Sequence, residues 1–168
     1  MMKKLLTFLL LALVVFLSVS LYFTDKHYFL SPIEYQGDIN IRFDSRGDGA
    51  FGSRRSGGRR HEGLDLSAEI GTPVLASRFG KVTLCRVIPD KDSKKGSGNY
   101  LILTHPDGFS TVYAHLSEIY VRQGQYVRQG QVIGTVGKTG NANYPNILPH
   151  LHFEIRKDGS PEDPMRYL

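Results

Sequence analysis

The sequence predicts an all-β domain behind a single apolar N-terminal helix. Three observations carry that reading. From Ile39 onward, short β-prone runs alternate with glycine-marked turns. No run beyond the N-terminus has the 3.6-residue periodicity of an amphipathic helix. The helix itself is read from Leu5 to Phe23, an apolar run broken only by Thr7, Ser18 and Ser20.

In chain order, Met1 to Lys4 is a short cationic start. The run after it would rise about 28 Å as a helix, close to the hydrocarbon thickness of a bilayer. Lysines before the run favour a cytoplasmic N-terminus and an exported remainder. The competing reading is a cleaved signal peptide, with Ser18-Val19-Ser20 as a small-x-small site. A buried core helix fits poorly, because the run has no polar face. Residues 1–23 are therefore expected to be a transmembrane signal anchor or a signal peptide. Residues 24–36, with Pro32 and an inert His27, are expected to be a tether, and 37–168 the globular domain.

Strands are expected at Pro73 to Ala76, Gly80 to Val87, Tyr100 to Thr104, Phe109 to His115, Gln131 to Val136 and Leu151 to Arg156. Pro106-Asp107-Gly108 supplies a turn, through the fixed φ of proline and the tolerated positive φ of glycine. Ser93 to Gly98 reads as a polar loop. Val121-Arg122-Gln123-Gly124-Gln125 is echoed by Val127-Arg128-Gln129-Gly130-Gln131. Two copies of six residues cannot make a solenoid. Carrier domains with similar glycine-glutamine turns need a lysine at a hairpin tip, for which Lys138 is a weak candidate, so the segment is read as structural.

At 168 residues the chain has room for one domain with a modest core. Its one cysteine, Cys85, sits in an apolar β-prone stretch and reads as a small buried hydrophobe, with no internal disulfide to form. Of 21 Lys and Arg against 16 Asp and Glu, removing Lys3 and Lys4 with the N-terminal segment leaves a net charge of +3. That suits an anionic, carboxylate-bearing partner such as a cell-wall polymer, and is too small to argue for nucleic acid.

The chemistry lies in three histidine-bearing fragments: His61-Glu62-Gly63-Leu64-Asp65, Tyr113-Ala114-His115-Leu116 and His150-Leu151-His152-Phe153-Glu154. On the last strand, alternation sets Leu151, Phe153 and Ile155 on one face and His150, His152 and Glu154 on the other. His150 and His152 then lie about 6.6 Å apart along the strand. Alternation likewise groups Val112, Ala114 and Leu116 against Thr111, Tyr113 and His115. The glycine-rich first fragment reads as a loop entering a strand, with a tight bend at Gly63 bringing His61 and Asp65 to one ion. Two imidazoles and a carboxylate make a three-ligand zinc set with a position open for water and substrate. Spare imidazoles can move protons near neutral pH. Spacing does not decide whether His150 or His152 joins His61 and Asp65 at the metal.

The order H-x-x-x-D, Tyr-Ala-His-Leu, Pro-His-Leu-His-Phe-Glu resembles the lysostaphin-type (M23, LytM-like) zinc metallopeptidases. Phe51-Gly52-x-Arg54, Gly71-Thr72-Pro73-Val74, Gly80-Lys81-Val82, Gly98-Asn99-Tyr100 and Gly124 to Gly140 match as well, so the resemblance covers about Ile41 to Leu168. It implies an antiparallel β-sheet or sandwich with an active-site groove, and zinc-dependent endopeptidase action on peptidoglycan stem peptides or cross-bridges. By position it implies His61, Asp65 and His152 as zinc ligands, with His115 and His150 as catalytic histidines whose acid and base roles stay undivided. Arg54, Arg60, Tyr113 and Asn99 are the expected substrate contacts, although Arg54 to Arg60 reads equally as a solvated, charge-rich loop. His105, beside the Pro106 turn, is assigned to structure.

Two departures stand out. Some family members carry a tyrosine shortly upstream of the first ligand, and Arg54 to Arg60 has none. The stretch Asn141 to Pro149 is longer than the usual loop before the final motif and is expected to reshape one groove wall. The alternative reading is a non-hydrolytic LytM-type activator of a cell-wall amidase, but such members typically lose metal ligands that this chain keeps. Expected partners are peptidoglycan, the membrane through the N-terminal helix, and a regulatory protein. The expected location is the cell envelope, outside the cytoplasm.

Overall fold

The computed structural model describes residues 2–89 and 94–168, and the side chains of 3–20 and 28–89 within that first stretch. Ser93, expected in the polar loop, and the His27 side chain lie outside the described parts. The apolar run forms helix α1, Met2–His27, and the Lys3–Ser20 stretch is long and apolar enough to cross a membrane. Its described side chains are exposed, as an unburied apolar helix requires.

Apart from short 3-10 turns, the remaining elements are strands: β1 Phe43–Asp44, β2 Gly47–Asp48, β3 Leu64–Ser67, β4 Pro73–Leu75, β5 Gly80–Arg86, β6 Asn99–Thr104, β7 Phe109–Ile119, β8 Tyr126–Val127, β9 Val132–Val136, β10 His150–Lys157 and β11 Ser160–Glu162. β1 and β2 form a separate hairpin. The other named strands join one antiparallel sheet, along β11-β10-β7-β6-β5-β8, with β3 on β10 and β9 linking β7 to β4. The fold is all-β with a large antiparallel sheet, as the sequence predicts.

Six strands lie where expected, to within a few residues at their ends. In β10 the alternation holds: Leu151, Phe153 and Ile155 are fully buried in the core. Burying such side chains stabilises the fold by about 1.5–3 kcal/mol each. In β7 the phase is reversed from the expected one. Tyr113 pairs with Phe153 and Leu101, and so shares their core face, whereas Ala114 pairs with His152 and Val112 with Glu154. Thr111 and Tyr113 are fully buried, and the Tyr113 hydroxyl accepts the Ser77 N–H at 2.9 Å.

The supposed tether is partly core. Phe29 and Ile33 join the hydrophobic cluster, and the Leu30 N–H donates to the Ser77 carbonyl at 2.8 Å. Phe29 packs edge-on against His105, Phe109 and Tyr167. The echoed hexapeptide is one turn built twice: Gln125 accepts the Arg122 N–H through its side chain, and Gln131 does the same for Arg128. Gly124 and Gly130 hold positive φ there, at 88° and 75°.

His105 has the structural role assigned to it. Its Nδ1 sits 2.8 Å from the Phe79 carbonyl oxygen and its Nε2 2.8 Å from the Thr111 hydroxyl. Burial, aided by the Arg78 guanidinium, pushes its pKa down to about 4 despite the Phe79 carbonyl. An unfolded chain, with His105 near 6.5, binds more protons in that interval. Stability is therefore full above pH 6.5 and falls as pH drops toward 4, with a share of about 3 kcal/mol from this residue. Urea melts between pH 7 and 4 are expected to show a shallower slope for His105→Asn than for the parent. Identical slopes would remove His105 from the acid sensitivity.

Candidate metal centre

The site is assembled where β3, β10 and the corner of β7 meet. Register sets His152 of β10 opposite Asp65 of β3, on the sheet face away from the core. His61 arrives from the segment before β3, held by Gly52 N–H to His61 O and His61 N–H to Ser53 O, both 2.9 Å. Between them Gly63 makes the expected bend, without a left-handed φ. Its purpose is close approach: a Cβ there would overlap the Phe153 carbonyl, so only glycine lets this strand lie against β10.

His61 Nε2, Asp65 Oδ1 and His152 Nδ1 converge, at 3.0, 3.1 and 2.9 Å from one another. Tetrahedral zinc with bonds of about 2.0–2.1 Å spaces its ligand atoms about 3.3 Å apart, so the three donors fit such an ion with a small expansion. Each is held from behind. His61 Nδ1–H donates to the Ala50 carbonyl at 3.0 Å, leaving Nε2 as the inward lone pair. His152 Nε2 meets Glu154 Oε1 at 2.9 Å, and Glu154 in turn accepts from Arg156 Nε at 2.6 Å. Asp65 turns Oδ1 inward while Oδ2 accepts from Arg42 and Arg55, both at 2.8 Å. Outer partners of this kind fix ligand orientation and basicity.

The electrostatics follow from this wiring. Burial alone would raise the Asp65 carboxyl, but hydrogen bonds from His152 and His61 hold it well below the usual range. Burial would lower His152, but Asp65 and Glu154, one on each ring nitrogen, raise it to about 9. A proton or a metal ion can satisfy that demand for positive charge.

The two remaining histidines face the same groove, which encloses about 1000 Å³. His150 Nδ1–H donates to the Leu148 carbonyl at 2.7 Å, and its Nε2 lies 3.8 Å from Asp65 Oδ1. His115 Nδ1–H donates to the Thr139 carbonyl at 2.9 Å, and its ring centre is 5.1 Å from that of His150. Strict alternation would put His115 in the core beside Tyr113. A left-handed φ of 63°, where β7 leaves β10 and takes up β9, turns it into the groove instead. Burial lowers both pKa values; His115 falls to about 3, with the neighbouring His150 and His152 adding to the effect. Both imidazoles are neutral at pH 7, each with Nε2 open to the groove.

Residues 59–164 match the profile of Peptidase family M23. The chain belongs to this family. It is 44% identical over 107 residues to the DD-carboxypeptidase/endopeptidase Mpg of Neisseria meningitidis, a match covering 64% of this chain and 22% of that protein. It is 36% identical over 135 residues to the peptidoglycan DD-endopeptidase ShyA of Vibrio cholerae, covering 80% of this chain and 28% of that one. The chain thus spans about a quarter of the length of these curated relatives. A zinc-containing peptidase from Vibrio cholerae superposes with a TM-score of 0.64 at 33% identity, over 82% of this chain and 39% of that one. Lysostaphin from Staphylococcus simulans does so with a TM-score of 0.64 at 29% identity, over 85% of this chain and 54% of that one.

On this M23 framework, two of the expected substrate contacts lie elsewhere. Tyr113 is fully buried, with its hydroxyl on Ser77 and Thr111. Asn99 is buried and structural: Oδ1 accepts the Ile88 N–H and Nδ2 donates to the Ser117 carbonyl. Arg54 is exposed and pairs through its backbone with Arg60, and of the two only Arg60 lines the groove. The neighbour Arg55, not Arg54, reaches Asp65. The sequence reading missed Arg42, Arg55 and the supporting role of Glu154. For Glu154 a signal existed, two residues from His152 on the same strand face; for Arg42 none did, because its contact with Asp65 is set by tertiary folding.

Proposed function

We propose that this protein is a zinc-dependent endopeptidase that hydrolyses peptide bonds of peptidoglycan, in stem peptides or cross-bridges, for cell-wall remodelling. The observation that carries the reading is the convergence of three fixed donors within 3.1 Å of one another, beside two neutral imidazoles on one groove. His61, Asp65 and His152 are the metal ligands. Bound zinc supplies a Lewis acid that polarises a carbonyl and lowers the pKa of a water. His115 and His150, each anchored through Nδ1–H, present Nε2 to accept a proton from the attacking water and return it to the leaving amine. The M23 relatives named for endopeptidase action support the substrate class. The N-terminal apolar helix supports a place in the cell envelope, with the domain on the outer side.

Zinc analysis of the full purified chain, followed by digestion of wall sacculi, tests the reading. One zinc per chain and released peptide fragments are expected. A zinc-loaded chain that releases nothing but stimulates a cell-wall amidase would replace the hydrolase with an activator. The retained ligand set speaks against that outcome.

Glu154 is expected to act through His152. Glu154→Gln should weaken zinc binding by about 10–100-fold, read by competition against a chelating dye. An unchanged affinity would restrict Glu154 to its pairing with Arg156.

A further inference from the structure

The groove holds more positive charge than its own carboxylates neutralise. Arg42 and Arg55 are committed to Asp65, while Glu62 and Glu154 are committed to Arg156. Arg46, Arg60 and Lys94 also line the groove, and among the described residues none of them forms an ion pair. Two of these cations converge on one ring: Arg46 Cζ is 5.0 Å and Lys94 Nζ 5.1 Å from the centre of Tyr144.

Three separate segments cooperate to make that arrangement. Tyr144 belongs to the long loop 141–149. That loop is fastened to the β1–β2 hairpin, which carries Arg46, by Leu148 N–H to Asp44 Oδ2 at 3.0 Å and by Asn146 Nδ2 to Ser45 Oγ at 3.4 Å. It is fastened to the segment carrying Lys94 by Asn141 N–H to Gly96 O at 2.8 Å. Ser97 of that segment accepts the His115 N–H at 3.0 Å, so the cations and the proton-handling histidine share one support. Like charges gathered on an aromatic ring repel one another unless an anion joins them. A guanidinium and an ammonium that line one groove and contact the same ring each recognise a carboxylate.

We propose that Arg46, Lys94 and Tyr144 form a carboxylate-binding subsite, which makes the enzyme select peptides with a free side-chain carboxylate over amidated or glycine-only ones. The inference rests on the endopeptidase reading and adds the specificity element. Tyr144 sits in the stretch where this chain departs from the usual loop length, and that loop is what draws the two cations together, so the preference is tied to this protein's own loop.

The test uses the full chain and two synthetic cross-linked peptides, identical except that one carries carboxamides in place of its side-chain carboxylates. The parent is expected to favour the carboxylate peptide at least about tenfold in kcat/KM, mainly through KM. Arg46→Ala/Lys94→Ala should lose most of that preference while keeping kcat, zinc content and its rate on the carboxamide peptide. Raising the salt concentration should shrink the preference of the parent. Equal cleavage of both peptides by the parent overturns the subsite and leaves the endopeptidase reading standing. If neither is cut, calorimetry decides: tighter binding of the carboxylate peptide by the parent than by the double variant keeps the subsite and overturns the hydrolase. No binding preference overturns both.

Discussion

His152→Ala is expected to yield a folded chain that retains no zinc and hydrolyses nothing. The substitution removes Nδ1, which lies 2.9 Å from Asp65 Oδ1 and 3.0 Å from His61 Nε2. Two donors remain, too few for a structural or catalytic zinc site. With the Lewis acid gone, the rate should fall by at least about a thousandfold, since the ion supplies several kcal/mol of charge stabilisation. Folding should survive, because the side chain points away from the core, and Leu151 and Phe153 on either side keep their burial. Elemental analysis and a thermal melt read the two effects separately. Stoichiometric zinc in the variant would contradict the ligand role.

His115→Ala should keep its zinc and still lose about 10²–10⁴-fold in kcat, the usual worth of a positioned acid–base group. None of the three converging donors belongs to His115, which contributes a neutral Nε2 fixed by the Thr139 carbonyl. Alanine is not the cleanest probe, however. The backbone here sits at φ 63°, which costs most residues about 1 kcal/mol or more and is tolerated best by glycine and asparagine. His115→Asn should therefore fold as well as the parent while remaining inactive, which separates lost chemistry from lost structure. Unchanged turnover in that variant would remove His115 from the mechanism. In the parent, activity should also fall in acid, because ligand imidazoles must be neutral to hold metal.

Much of this was legible in the sequence, and the misses have definite causes. β10 could be read in full, because Leu151, Phe153 and Ile155 bury one face completely and its alternation is uninterrupted. β7 could not, because it kinks. Register with Phe153 and Leu101 fixes Tyr113 in the core, and the left-handed residue that follows resets the period, so His115 faces the groove although Tyr113 does not. β1, β2, β8 and β11 are two or three residues long, too short for any periodicity to register. Phe29 and Ile33 looked like tether because their burial comes from contacts made by the rest of the fold. The three converging donors were legible through motif order, whereas Arg42 and Arg55, which hold Asp65 in place, carry no local signature.

The docking of the N-terminal segment sets a radius of action. Tyr28 already belongs to the domain, through its carbonyl and Gln129 at 2.8 Å, while the apolar run of the sequence ends at Phe23. Five residue steps, fully stretched, reach at most about 18 Å, and coiled as a helix only about 8 Å. Where that span stays in a bilayer, the catalytic groove works on a short leash. Wall strands would have to come to it, at the layer where new polymer leaves the membrane, and mature wall beyond that distance would be spared by geometry alone.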